Sequence, residues 1–102
     1  MVHTINDISE FDKLYPEQQM QLVTWCEKSL IQIKNITNYR SSYGLKHDFE
    51  YSTDGFYVSN GAFKGAMIKA GFKHKEYIGS PNRHFNISKK SVKRVRELNR
   101  MN

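Results

Sequence analysis

The stretch SNGAFKGAMIKAGF, Ser59–Phe72, has the spacing of a short helix, yet it contains two glycines. A 3.6-residue period places most of its apolar side chains on one face and Gly61, Lys64, Gly65 and Lys69 on the other. Each glycine costs about 0.5–1 kcal/mol relative to alanine inside a helix. Small residues between lysines therefore predict an outward face that is approached closely, either by a polyanion or by another element of the same chain.

Apolar spacing predicts two more helices on the N-terminal side of this stretch. From Pro16, the run PEQQMQLVTWCEKSLIQI has apolar residues three or four positions apart as far as Ile33, which is typical of a long core helix. Ser42 is suited to cap a second helix, YGLKHDFEY. Residues 1–15 are expected to be an irregular lead-in, although their apolar residues recur at every third position, as in a short helix packed on the domain.

The C-terminal third predicts a basic β-hairpin. In FKHKEYIGSPNRHFNIS, Phe72–Ser88, two runs with strand character are joined by the turn-rich tetrapeptide GSPN. Lys73, Lys75 and Arg83 are available for the exposed side of this hairpin. Residues 89–102 repeat valine or leucine at every third position amid six basic residues. That pattern is typical of a frayed amphipathic helix or of a tail that orders on contact.

Together these elements predict an α+β fold of the winged helix-turn-helix type. Three helices are followed by a C-terminal basic β-hairpin, the wing, and by a basic tail or helix. Residues 1–88 are expected to form a single domain and residues 89–102 a basic C-terminal segment. The segment STDGFYV between the second and third helices is longer than the usual turn of three or four residues, which is a departure from this architecture.

Positive charge is concentrated in the second half of the chain. The net charge is +6, but residues 1–50 hold five Lys or Arg against seven Asp or Glu, whereas residues 51–102 hold eleven against three. Such asymmetry is typical of a surface for nucleic acid or another polyanion. The thirteen aromatic residues supply rings for stacking as well as for the core.

Cysteine content and hydropathy restrict the class of protein. The single Cys26 excludes a disulfide within the chain and any C-x-x-C site, and its apolar surroundings predict a buried structural thiol. No stretch approaches the roughly 20 apolar residues that are needed to cross a membrane. We therefore expect a soluble, cytoplasmic protein with no membrane partner.

The sequence offers no recognisable catalytic site. His47, Asp48 and Glu50 do not all converge on one point of a helix. His74 and His84 could approach each other across the hairpin, but two histidines without a third ligand make a weak zinc site. GAFKGA lacks the residue order of a phosphate-binding loop. We expect no catalytic residues, no metal and no cofactor.

The segments RSSYGLKHDFE, GFYVSNGAFKGAMIKAGF and RHFNIS resemble a known group of proteins. These are small basic proteins of staphylococcal cassette-type mobile elements and related phages, a group that includes winged-helix single-stranded-DNA-binding proteins. The resemblance covers residues 40–88, about half of the chain. It implies a protein of replication or transfer that coats exposed single strands without an OB-fold, and it carries no motif specific enough to transfer binding residues.

The candidate site is therefore predicted from residue chemistry. A single-strand binder needs cations along the phosphates and rings that stack on the bases. The predicted nucleic-acid-binding residues are Lys64, Lys69, Lys73, Lys75, Tyr77, Arg83, His84, Lys89, Lys90, Lys93, Arg94 and Arg96. Tyr57 is a further stacking candidate, whereas Phe63, Phe72 and Phe85 fit a core pattern.

Two alternatives to single-stranded DNA stay open. One is a winged-helix regulator that binds duplex DNA, although the third helix offers lysines, which contact phosphates, more than side chains that distinguish bases. The other is a protein-interaction module that docks on a host or replication protein, through the C-terminal segment or a pocket beside Gly65 or Gly71. Single-stranded DNA, bound with little sequence specificity, is the favoured partner.

Overall fold

The computed structural model describes residues 4–101. Within this range the chain forms four α-helices, one 3-10 helix and three strands. In chain order they are the 3-10 helix Ile8–Lys13, α1 Pro16–Ser29, β1 Gln32–Thr37, α2 Ser42–Glu50, α3 Asn60–Lys69, β2 His74–Glu76, β3 Arg83–Ile87 and α4 Lys89–Met101. The fold is therefore α+β, as the sequence predicts, with one strand, β1, that was not predicted.

The strands form one antiparallel sheet in the order β1–β3–β2. The predicted hairpin is confirmed as β2 and β3, in which Lys75 pairs with His84. The predicted long helix is wrong in its last part, because α1 ends at Ser29 and the chain continues as β1. The cause lies in residues 31–37, IQIKNIT, where β-branched residues largely alternate with polar ones at the period of a strand.

The core lies between the helices and the inner face of the sheet. Its largest fully buried side chains include Phe49, Phe63 and Phe85, and Phe72 is buried with them. Phe63, Phe72 and Phe85, which were predicted to be internal, are therefore confirmed as core residues. Cys26 is completely buried, and this burial raises the pKa of its thiol far above the usual range. Cys26 is a structural thiol.

The N-terminal lead-in packs on α3 through its 3-10 helix. A Cβ placed on Gly61 would lie 2.0 Å from the carbonyl oxygen of Asp7, and one placed on Gly65 would lie 2.7 Å from Cβ of Phe11. No side chain fits at such distances, so glycine is what allows the two helices to approach. The three-residue recurrence in the lead-in is the period of a 3-10 helix. The glycine face of α3 is thus internal, and the prediction that it faces outward is wrong. Of the two predicted neighbours, another element of the same chain is confirmed.

Helix α3 begins after a serine and ends before a glycine, the residue types that favour helix ends. At its start, the side-chain oxygen of Ser59 accepts a hydrogen bond from the N–H of Ala62 at 3.2 Å. At its end, Gly71 has φ of 91° and donates its N–H to the carbonyl of Ile68. This left-handed conformation favours glycine and ends the helix.

Residues 89–101 form helix α4, which confirms the amphipathic helix among the two predictions for the C-terminal segment. Val92 and Val95 are buried in the core, whereas Leu98 is exposed. The side-chain amide of Asn99 donates to the carbonyl of Asp48 at 3.0 Å and so connects α4 to α2. Across residues 4–101, no helix combines the length and the apolar character required to cross a membrane.

Candidate nucleic-acid interface

Helix α3 does not present Lys64 to solvent. Lys64 is only 5% exposed, and its ammonium donates a hydrogen bond to the carbonyl of Pro81 at 2.6 Å. Burial, together with the charge of Arg83, lowers the pKa of Lys64. The prediction that Lys64 is exposed is therefore wrong, because the hairpin loop and the lead-in cover this side of the helix. Lys69 is exposed but borders the 3-10 helix rather than the hairpin.

The outer face of the sheet brings several predicted residues together. The ammonium of Lys75 lies 5.4 Å from the centre of the Tyr77 ring, which contacts the ring of His84 edge-to-face at 5.0 Å. Lys73 reaches across the sheet and donates to the carbonyl of Lys34 on β1 at 3.3 Å. Alternation along β2 places residues 73, 75 and 77 on the same face. We call Lys73, Lys75, Tyr77 and His84 the sheet face.

The sheet face combines positive charge with aromatic surface. Lys73 and Lys75 are exposed, and Tyr77 and His84 are half-buried. A cation beside an accessible ring is the combination that holds phosphates and bases of a single strand. Burial lowers the pKa of His84, so its ring is neutral at pH 7 and offers stacking surface rather than charge. The buried Nδ1 of His84 has no hydrogen-bond partner among residues 4–101.

Arg83 lies on the opposite, inner side of the hairpin and is half-buried. Its guanidinium pairs with Glu76 and lies 3.1 Å from Nδ1 of His74. Burial and the charge of Arg83 lower the pKa of His74. His74 and His84 occupy adjacent register positions and so lie on opposite faces. In the described part of the chain no three His, Cys, Asp or Glu side chains are placed to hold a metal ion.

Helix α4 follows β3 directly and carries further exposed cations. The ammonium of Lys89 lies 5.1 Å from the centre of the Tyr39 ring, just after β1. Exposed basic residues of α4 are Lys89, Lys90, Lys93, Arg94, Arg96 and Arg100. Glu97 is the only acidic residue of this helix. The predicted C-terminal cations are therefore accessible, and a helix rather than a flexible tail positions them.

Sequence reasoning missed an exposed group of rings on α2. Tyr43, His47 and Tyr51 are four residues apart and lie along one side of the helix. The rings of Tyr43 and His47 meet edge-to-face at 4.5 Å, and those of His47 and Tyr51 are stacked at 6.2 Å. Tyr43, Tyr51 and the nearby Tyr57 are 52%, 70% and 71% exposed. We call Tyr43, His47, Tyr51 and Tyr57 the aromatic strip; the spacing of the first three was its signal in the sequence.

Polar contacts beside the aromatic strip hold its rings in place. Glu50 lies 2.9 Å from both the ammonium of Lys46 and Nδ1 of His47, and it accepts a backbone N–H at 3.1 Å. Burial alone would raise the pKa of Glu50, but these hydrogen bonds and the adjacent positive charge lower it. The ammonium of Lys46 lies 5.6 Å and 4.9 Å from the ring centres of Tyr43 and Tyr57.

Comparison of the chain with protein-family models, curated proteins and solved structures finds no match. What the protein binds is therefore inferred from the positions of its charges and rings.

Proposed function

We propose that the protein binds single-stranded DNA with little sequence specificity. The observation that carries the proposal is the sheet face, where Lys75 lies over Tyr77 and Lys73 extends toward β1. Lysines follow phosphates and a ring stacks on any base, so this combination favours binding that tolerates different sequences. The exposed cations of α4 would lengthen the same surface.

We further propose that the fold is a winged helix. The element order α1–β1–α2–α3–β2–β3, with β1 beside β3, fits that architecture, and the hairpin of β2 and β3 would be the wing. The long connection between α2 and α3 is a departure from it. The resemblance noted in the sequence supports a role in replication or transfer of a mobile genetic element, with replication proteins as further partners of α4.

Duplex recognition has less support than single-strand binding. Helix-turn-helix proteins place their recognition helix in the major groove. In this protein the lead-in covers the face of α3 that carries Gly61 and Gly65, and Lys64 is buried. The helix that would enter the groove is therefore largely inaccessible. Duplex DNA serves as the comparison ligand.

Fluorescence anisotropy with labelled oligonucleotides tests the proposal. Single strands and duplexes of matched length, each in two unrelated sequences, are titrated with the protein at two salt concentrations. We expect tighter binding to single strands, equal for the two sequences, with log affinity falling by about 0.7 per unit of log salt for each phosphate neutralised. Tighter binding to one duplex would contradict the proposal, and no binding to any oligonucleotide would favour a protein partner.

The double variant Lys73→Glu, Lys75→Glu locates the binding surface. Both side chains are exposed, so we expect loss of binding with little change in melting temperature. The matched control is Lys13→Glu, Lys28→Glu, which changes the net charge by the same amount on the 3-10 helix and α1. Equal losses in the two double variants would assign the binding to overall charge rather than to the sheet face.

A further inference from the structure

We infer that the aromatic strip is a second nucleotide-binding surface, which stacks unpaired bases of the strand held on the sheet face. The inference rests on the proposed single-strand binding. The first ground is exposure. Tyr43, Tyr51 and Tyr57 each leave more than half of their surface in solvent. Tyrosine more often buries its ring and exposes only its hydroxyl, so a group of open rings marks a site for a ligand.

The second ground is preorganisation of the rings. Glu50 fixes both Lys46 and His47, and Lys46 lies against the rings of Tyr43 and Tyr57. The rings are therefore positioned before any ligand arrives. Binding then costs less side-chain entropy than it would with freely rotating rings.

The third ground is charge on the side of the strip opposite Lys46. The Arg40 guanidinium makes two hydrogen bonds of 2.9 Å to the carboxylate of Asp48, and Nε of Arg96 lies 3.9 Å from the same group. The side chain of Asp48 is 5% exposed and that of Arg96 is 43% exposed, so the carboxylate lies beneath and the guanidinium faces solvent. A phosphate backbone beside the strip would meet positive charge.

The fourth ground is a cleft of about 580 Å³ at one end of the strip, between Tyr43, Tyr57 and the hairpin loop. Asn60, Pro81 and Asn82 supply polar groups to its lining. The side-chain oxygen of Asn60 is buried and has no hydrogen-bond partner within residues 4–101. Clefts of this volume with a few polar groups suit a ligand the size of a nucleotide.

These features favour a nucleic acid strand over a peptide. A proline-rich peptide also packs on exposed tyrosines, because its extended helix presents flat apolar surface. It carries no phosphates, however, and would leave the exposed guanidinium of Arg96, which lies 3.9 Å from the carboxylate of Asp48, without a close ligand group. Stacked bases with a phosphate backbone would contact the rings and the guanidinium of Arg96 together.

Binding of two labelled single strands by full-length protein tests the inference. One is oligothymidine, and the other is an abasic strand of equal length that has the same phosphates and no bases. Tyr51→Ala is compared with Tyr15→Ala, since these tyrosines are matched at 70% and 72% exposed. We expect Tyr51→Ala to weaken oligothymidine binding about tenfold. Its affinity for the abasic strand, and both affinities of Tyr15→Ala, should equal those of the wild type.

Each other outcome overturns the inference in a distinguishable way. Equal oligothymidine affinity of the two variants would remove the strip from the site, while the Lys73→Glu, Lys75→Glu variant would still report on the sheet face. Equal losses on both strands would exclude base stacking as the cause. No binding by the wild type would overturn the proposed function as well.

Photocrosslinking of the wild type supplies a second measurement that does not depend on how a variant folds. A single strand containing 5-iodouracil is irradiated with the protein, and the attached residues are identified by mass spectrometry. We expect adducts on Tyr43, Tyr51 or Tyr57. Adducts confined to Tyr77 and His84 would place all bases on the sheet face and overturn the inference.

Discussion

Gly61 and Gly65 lie where atoms of the lead-in approach α3 most closely. At Gly61 the neighbouring atom is a backbone oxygen of Asp7, which cannot rotate away as a side chain can. Two glycines weaken the helix, but they bring Phe11 into the core. Because the lead-in already covers the glycine face of α3, that face is not available to a ligand.

Gly61→Ala is expected to lower the free energy of unfolding by about 1–3 kcal/mol, because the added methyl group has no space and forces the lead-in to shift. The control is Met20→Ala on α1, where the side chain is 71% exposed. Its removal leaves no internal cavity, so the control should change stability little. Urea unfolding of both variants measures the difference. Equal stabilities would show that the lead-in does not hold this contact in solution.

Lys64 gives a prediction about pH. Its pKa in the folded protein is lowered, so the unfolded chain binds more protons between that value and the ordinary lysine value of about 10.4. The cost of burying the charge is therefore full below the folded pKa and is relieved as pH rises. We expect Lys64→Met to be at least as stable as the wild type at neutral pH, with an advantage that shrinks toward about pH 10.

Urea unfolding of Lys64→Met and of the wild type, at neutral pH and at about pH 10, measures this difference in stability. Anisotropy should show unchanged affinity of the variant for single strands, because Lys64 is buried. An advantage that grew with pH, or a loss of binding, would place the Lys64 ammonium in solvent.

At the scale of elements, the 3-10 helix is part of the core rather than an appendage. Phe11→Ala removes a buried ring between this helix and α3, and we expect it to lower the free energy of unfolding by about 3–5 kcal/mol. Ile78→Ala, at the fully exposed hairpin tip, is the control and should change stability by less than about 0.5 kcal/mol. Thermal and urea unfolding report both. A small effect of Phe11→Ala would mean that the lead-in detaches in solution and uncovers α3.

Helix α4 contributes both to the core and to the charged surface, and a truncation would mix the two. Removing residues 89–102 would take away the buried Val92 and Val95. Replacing the exposed Lys90, Lys93 and Arg94 by glutamine tests the surface alone. We expect unchanged stability and a salt slope of single-strand binding that is shallower by up to about 2, since each phosphate contact contributes about 0.7. An unchanged slope would assign the helix to a different partner.

At the scale of the whole molecule, the spacing of residues along the chain predicted the features that depend on residues close in sequence. The helix caps at Ser59 and Gly71 and the β2–β3 hairpin depend on neighbouring residues, and each was predictable. The buried phenylalanines were predictable from their apolar character. Strand β1 was not, because the apolar residues after Leu30 continue the spacing of α1, and periodicity cannot separate helix from strand in so short a run.

The candidate site was predictable only in part, because exposure is a tertiary property. The excess of positive charge after residue 50 was visible, and the exposed lysines of β2 and α4 follow from it. A helical wheel gives the side on which Lys64 lies but not which element covers that side. For the same reason the aromatic strip was not predicted, because the four-residue spacing of its rings is also typical of a buried helix face.

The size of the molecule predicts the length of strand that the proposed binding would occupy. Its principal extents are 41, 30 and 21 Å. A strand bound along one of the two longer dimensions would have a path of 30 to 41 Å, or about nine to twelve nucleotides at the 3.4 Å spacing of stacked DNA. Anisotropy titrations with oligothymidines of increasing length should show affinity rising to about this length and then levelling off.

A plateau at about four nucleotides would contradict this expectation and confine binding to the hairpin. A steady rise far beyond twelve would mean that several copies of the protein bind one strand cooperatively. Light scattering of the complex separates that case from a single protein holding a longer path.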